Sequence, residues 1–231
     1  MIKILTVLLS VFVLFLFGCG SSNDTEIADA ADTNTYNYSD DYADAYNRSD
    51  DGQSHAFVRG IIDGNLYTNE YLGLTFTKPD HWVFGSDEDL ANAMGIASEF
   101  MSAAGMELTE DMLNAQSVAE LLVANTGTGS SVNVTVENLA QTVRDMTMTE
   151  SQFLDITRQH LEGIMPEYMA EIVGSVEIGG NVFEGMRAVI GQTGMVQYIY
   201  VRRIDGFMMQ IIISGSAADD EFNEILTWFS N

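Results

Sequence analysis

The chain has 231 residues, 46% of them hydrophobic and 19% charged, and its 34 acidic residues against nine lysines and arginines leave a formal net charge of −25. A polyanion is held by a basic face that releases its counterions, so this balance excludes a protein that grips nucleic acid. Two prolines and 20 glycines exclude collagen-like and Pro-rich fibrous classes, and the apolar fraction excludes wholesale disorder.

Lys3 is followed by an apolar stretch from Ile4 to Phe17, interrupted only by Thr6 and Ser10, which has the anatomy of a secretory signal. At about 14 residues the stretch falls short of the ~20 that span a bilayer as a stable helix. Leu16-Phe17-Gly18-Cys19 resembles the lipobox of bacterial lipoproteins, in which a small residue precedes the cysteine that becomes N-terminal and acylated. Cys19 is the only cysteine, so it has no internal disulfide partner, and an exported protein rarely keeps one idle thiol. A thioether-linked diacylglycerol on its sulfur, with palmitate among the two or three acyl chains, gives a firm anchor at ~0.8 kcal/mol per buried methylene. The expectation is a signal peptide over 1–18 and a mature chain moored through Cys19 to the extracytoplasmic face of a bacterial cell membrane. An ordinary cleaved signal with a coincidental cysteine is the alternative.

Residues 19–56 read as the lipidated cysteine and a disordered acidic tether. Ser21 to His55 holds nine acidic residues, one base (Arg48) and almost no aliphatic residue beyond Ile27. Such a segment cannot bury enough apolar area to offset its conformational entropy, and its like charges keep it extended and clear of anionic headgroups. Tyr36, Tyr38, Tyr42 and Tyr46 alternate there with aspartates. A calcium loop counted from Asp32 fails at Asn37, where a glycine is needed, and at Ala43, where a bidentate glutamate is needed. Solvated linker is the better reading.

Residues 57–231 form the expected globular domain, with 25 acidic against seven basic residues. Leu66–Tyr71 and Leu74–Thr77 read as short strands, the second with Leu74 and Phe76 on one face; Pro79 stops it and Trp82 enters the core. Ser86 to Asp89 has the capping-box pattern of a helix carrying the stripe Leu90, Met94, Ala97 and Met101 and closed by Gly105. A shorter helix follows over Thr109–Ala115. Ala119–Asn125 and Ser131–Leu139 read as a hairpin around Thr126-Gly-Thr-Gly129; Val132, Val134 and Val136 face the core, and Asn133, Thr135 and Glu137 face water.

A second capping box at Thr149 and Gln152 opens a helix whose apolar face is Phe153, Ile156, Leu161, Ile164 and Tyr168, disturbed near its end by Pro166. Glu171–Ile178, Val182–Ile190, Met195–Ile204 and Phe207–Ser214 then form a meander turned at Gly179-Gly180, Gly191 to Gly194, and Asp205-Gly206. Ser216 to Asp219 caps a terminal helix with Phe222, Ile225, Leu226 and Phe229 facing inward. The order ββ-α-ββ-α-ββββ-α predicts an α+β fold, an antiparallel sheet covered by helices.

Tyr71-Leu-Gly-Leu-Thr-Phe76 with Pro79 and Trp82, and the strand Ser131-Val-Asn-Val-Thr-Val136, resemble the PsbP-like (Mog/PsbP-type) α/β sandwich family. That family includes an extrinsic photosystem II subunit, a Ran-binding nuclear relative and many small bacterial lipoproteins. The resemblance covers most of 66–231 in element order. It implies a binding or assembly module, and none of its motifs carries a catalytic residue.

The search for chemistry supplies few groups. His55, His81 and His160 are not paired at metal-ligand spacing, and with no cysteine in the domain neither a metal site nor a cofactor is expected. His160, between Ile156 and Ile164, is a candidate ligand-binding group, with a neutral core-edge histidine as the alternative. Gly127-Thr-Gly-Ser-Ser131 lacks the endings of a phosphate loop or a nucleophile elbow and reads as a turn. Asp87 to Asp89 and Asp219-Asp220 complement helix dipoles. Arg187, Arg202 and Arg203 form a basic island in an acidic domain and are candidate ligand-binding residues, with Arg187 expected near Tyr198 across the Gly191–Gly194 turn; an anionic-ligand patch is one reading, and pairing with local acids is the better one. Methionines such as Met94 and Met101 read as packing filler.

The function expected is a membrane-tethered extracytoplasmic lipoprotein, non-enzymatic, binding an envelope protein or polymer partner and no nucleic acid. A solute-binding subunit of a transport system is the first alternative, though one compact lobe matches the two-lobed, hinged receptors poorly. A hydrolase using exposed carboxylates is the second.

Overall fold

The computed structural model describes residues 57–86, 88–90, 117–142, 147–165, 167–191, 194–216 and 219–230. The leader, the tether with Cys19, the helical stripe Met94–Met101 with its Gly105 stop, the helix expected over 109–115, and Pro166 lie outside these residues. Eleven strands and three helices follow in the order β1 (Ile61–Asp63), β2 (Leu66–Asn69), β3 (Leu74–Thr77), β4 (Val83–Phe84), β5 (Ser117–Ala124), β6 (Ser131–Asn138), α1 (Leu139–Thr142), α2 (Glu150–Ile164), β7 (Tyr168–Ile178), β8 (Asn181–Ile190), β9 (Met195–Ile204), β10 (Phe207–Gly215), α3 (Asp219–Leu226) and β11 (Phe229–Ser230). The fold is α+β, and among the described residues all strand pairs are antiparallel.

The strands divide between two sheets where the sequence suggested one. A seven-stranded sheet runs β4-β5-β6-β10-β9-β8-β7, and a four-stranded sheet runs β1-β2-β3-β11. The meander over β7 to β10 forms as expected, and β10 then pairs with β6, so the earlier hairpin joins the meander edge to edge. The last strand pairs Phe229 with Phe76 and closes the small sheet with the chain's C-terminus.

Two apolar layers result. On one face of the large sheet, Phe153, Leu154 and Leu161 of α2 pack on Met186, Ala188, Ile199, Val201, Met208 and Ile212. On the other, Tyr67, Leu74, Phe76, Phe229 and the α3 residues Phe222 and Ile225 pack on Leu121, Val123, Val132, Val134, Val136, Ile211 and Ile213. Trp82 is buried there against Trp228. The side-chain period of two along a strand is what lets β9 and β10 feed both layers.

Local signals explain the element ends. Thr149 and Gln152 make the reciprocal cap, Gln152 N–H donating to Thr149 Oγ1 (3.3 Å) and Thr149 N–H to Gln152 Oε1 (2.9 Å). At the start of the segment 88–90, Asp89 N–H donates to Ser86 Oγ (3.2 Å) and Ser86 N–H to Asp89 Oδ2 (2.7 Å). Asp205 adopts φ 50° in the two-residue turn before Gly206, the left-handed backbone that a tight hairpin demands.

Three expectations are corrected. Asn133, Thr135 and Glu137 are buried, not wet. Alternation reports side-chain polarity, and on an interior strand flanked by β5 and β10 the polar row is covered and bonds laterally, Gln210 Nε2 donating to Glu137 Oε1 at 2.9 Å. Tyr168 belongs to β7, because α2 ends at Ile164 with Met165 as its cap in extended backbone. Phe229 belongs to β11 and its inward direction comes from pairing with β3, not from a helix face.

Candidate partner-binding surface

The basic residues separate once the chain folds. Arg187 stands opposite Tyr198 in the β8–β9 ladder, with its guanidinium 5.9 Å from the ring centroid and Nη1 3.7 Å from Glu171 Oε1 on β7. Arg202 and Arg203 are neighbours on β9 and so project to opposite faces. Arg202 Nη1 reaches the carbonyl of Leu72 at 3.4 Å, in the β2–β3 turn. The amide of Arg203 donates to Glu150 Oε1 at the start of α2 (3.0 Å). The structure therefore brings Arg187 to Tyr198 but not the three arginines to one island. His160 is half-buried on α2, and that burial lowers its pKa below the ordinary histidine value. No second titratable group is bonded to it, and among the described residues no three His, Cys, Asp or Glu side chains converge as metal ligands.

The strongest polar constellation was missed by sequence reasoning. Glu120 is the extra residue of a β-bulge in β5, where the register to β6 shifts between Ala119 and Leu121. Its side chain is 1% exposed. The carboxylate accepts from Tyr67 Oη (2.8 Å), Asn69 Nδ2 (3.0 Å), Arg59 Nε (3.1 Å) and the amide of Gly60. Arg59 also donates from Nη2 to the carbonyl of Ala119 (2.8 Å), and Asn69 Nδ2 to that of Val58 (3.0 Å). Burial, then the adjacent carboxylate, pushes the Tyr67 phenol well above its ordinary pKa. The group clasps the first residues of the domain and β2 to β5. Both its charge and its lone pairs are spent on protein donors, which makes it structural. The visible signal was a glutamate inside the apolar run Ala119 to Ala124.

On the α2 side of the large sheet, Ser117, Thr135, Glu137 and Gln210 make a second polar group, joined by ladder pairing of Ser117 to Glu137 and of Thr135 to Gln210. Ser117 Oγ, Thr135 Oγ1 and Gln210 Oε1 are buried with no hydrogen-bond partner among the described residues. The surface depressions are shallow and chemically plain. One of about 450 Å³ is lined by Thr68, Asn69, Glu70, Gly73, Leu74 and Thr75, and one of about 240 Å³ by Met148, Gln152, Asp155 and Ile156. Tyr71, whose phenol is raised to about 12 by burial and by Asp205, lies 3.4 Å from Asp205 Oδ2. Gly127 sits in a hairpin turn, its amide donating to Asn125 Oδ1 at 3.0 Å.

Exposed apolar side chains are concentrated at sheet borders: Val58, Ile61, Ile62 and Leu66 around β1 and β2, and Met169, Ile172 and Val173 on β7.

No family model and no curated protein matches the chain. Among solved structures it is similar to the cyanobacterial PsbP protein CyanoP of Synechocystis sp. PCC 6803, with 12% identity and a TM-score of 0.42 over 74% of this chain and 95% of that one. It is similar to LpqN, involved in cell envelope biogenesis of Mycobacterium tuberculosis, at 11% identity and a TM-score of 0.35, covering 68% and 82% of the two chains. It is also similar to the Ran-binding protein Mog1p of Saccharomyces cerevisiae, at 12% identity and a TM-score of 0.32, covering 66% and 76%.

Proposed function

We propose that this protein is a lipid-anchored, extracytoplasmic binding or assembly module, moored through Cys19 and held off the membrane by its acidic spacer. The observation that carries the reading is the sequence Leu16-Phe17-Gly18-Cys19 after a short apolar run, in a chain with one cysteine. The domain supports it. Its buried carboxylate Glu120 is consumed by Arg59, Gly60, Tyr67 and Asn69, and a few apolar side chains, Val58, Ile61 and Met169 among them, are exposed at sheet borders. Among the described residues no helix is long and apolar enough to cross a membrane.

The test is metabolic labelling in a bacterial host with a clickable palmitate analogue, followed by mass spectrometry of the N-terminal peptide. The expected peptide begins at Cys19 and carries diacylglycerol, and Cys19→Ser removes both the label and membrane partitioning while circular dichroism is unchanged. An intact leader or an unmodified thiol overturns the anchor. Turnover of a substrate by the purified chain overturns the non-enzymatic role.

A further inference from the structure

On the face of the large sheet opposite α2, α3 reaches β9, where the rings of Phe222 and Tyr198 lie 4.9 Å apart. From there outward to β7 the face stays open. The ladder registers set Met169, Val189 and Val196 in one row across β7, β8 and β9, and Glu171, Arg187 and Tyr198 in the next. Met169 is 62% exposed and Val173 45%, and the two valines of the first row are half-buried. Val173 belongs to the same face: its side chain and the Tyr200 ring close over Gly185, where a Cβ would lie 2.9 Å from Val173 Cγ2 and 3.1 Å from Tyr200 Cδ1. Three strands span ~10 Å and the five residues from Met169 to Val173 ~13 Å, which is the width of one α-helix and between two and three of its turns.

Charge selects the occupant. Arg187 is already engaged by Glu171 Oε1 at 3.7 Å and by the Tyr198 ring, and α3 brings four acidic residues and no base. The spacer from Ser21 to His55, with nine acids and one base, has the same sign as this face. The chain between β4 and β5 leaves and returns at the opposite border of the sheet. A second copy carries the same 25 acidic against seven basic residues in whatever register it meets the first. A basic helix reverses the balance: an apolar stripe covers Met169, Val173 and the valines between them, and lysines or arginines on its flanks answer Glu171 and α3. We infer that the β7–β9 face beside α3 takes an amphipathic, positively charged helix of a partner protein, laid along the strands. The inference rests on the reading of this protein as a binding module and not on acylation of Cys19, so a failed titration leaves the mass-spectrometric result at Cys19 standing.

The test follows the fluorescence anisotropy of a dye-labelled peptide of about 15 residues, with leucines at helical spacing on one side and lysines elsewhere, as the detergent-purified full chain is added and a detergent blank subtracted. Saturable binding that weakens between ~0.05 and ~0.3 M salt is expected. Met169→Asp changes an exposed side chain and should weaken the peptide by about tenfold or more with little change in melting. If that variant melts early, Glu171→Lys decides: the leucine–lysine peptide weakens and a leucine–glutamate peptide gains. Equal binding of the two peptides by the native chain, or indifference to these variants, would overturn the assignment. So would a concentration-dependent dimer that Met169→Asp dissociates, which gives the face to a second copy, or a gain of about tenfold on deleting residues 22–55, which gives it to the spacer.

Discussion

Glu120 is the residue on which the domain's entry depends. A buried carboxylate with four donors costs little while all are present, but deleting it takes the acceptor from Tyr67 Oη and the Gly60 amide, and leaves Asn69 the carbonyl of Val58 and Arg59 that of Ala119. Glu120→Ala is expected to lower unfolding stability by ~3–5 kcal/mol in urea titration, whereas Arg59→Ala, which removes a partner at the domain's surface, costs less. A loss under about 1 kcal/mol for Glu120→Ala would remove its structural role. The sequence displayed the anomaly, a charge within Ser117–Ala124, but not its resolution. The partners stand 51, 53 and 61 residues away, at Asn69, Tyr67 and Arg59, and no periodicity links residues at such separations. Arg187 and Tyr198 were legible for the opposite reason: one short turn fixes the register that sets them face to face.

At the scale of elements, the capping pattern at Thr149 and Gln152 and the hairpin turns were readable because each is a local demand on a few consecutive residues. The ownership of Tyr168 and Phe229 was not, since apolar spacing continues smoothly past the ends of α2 and α3. Nor was β11, whose two residues are a strand only because β3 is beside them. The turn between β7 and β8 meets this strand closely. Gly179 has φ 54°, and a Cβ there would lie 3.0 Å from the carbonyl oxygen of Ser230. Gly64 has φ 58° with open space around it. Gly64→Ala should therefore lose only the left-handed backbone term, ~1 kcal/mol, and Gly179→Ala more than ~2 kcal/mol, because β11 must also move. Equal losses in paired thermal melts would mean that the turn does not bear on the C-terminal strand.

For the molecule as a whole, charge is the term left unbalanced. The domain has 25 acidic and seven basic residues, and the ion pairs among the described residues include Arg59–Glu120, Arg158–Asp155 and Arg187–Glu171. Raising ionic strength from about 0.01 to 0.15 M shortens the screening length from ~30 to ~8 Å and relieves the repulsion among the unpaired carboxylates. The melting temperature should rise by a few degrees, and a flat or falling value would show that the acids are spaced too widely to repel. Composition announced this imbalance, and element order conveyed the α+β class. The split into two sheets stayed hidden, because strand order in sequence does not say which edges meet.

The clasp at Glu120 also decides how the molecule yields when pulled. For a chain moored at Cys19 and gripped elsewhere, tension travels along the spacer and arrives first at Phe57 to Gly60, where it works against Arg59, Gly60 and Glu120 before any β-ladder is loaded. Releasing those contacts pays out roughly 14 Å of slack while both sheets keep their registers. In a chain so moored, the clasp would be a mechanical fuse, lengthening the leash before the domain unravels.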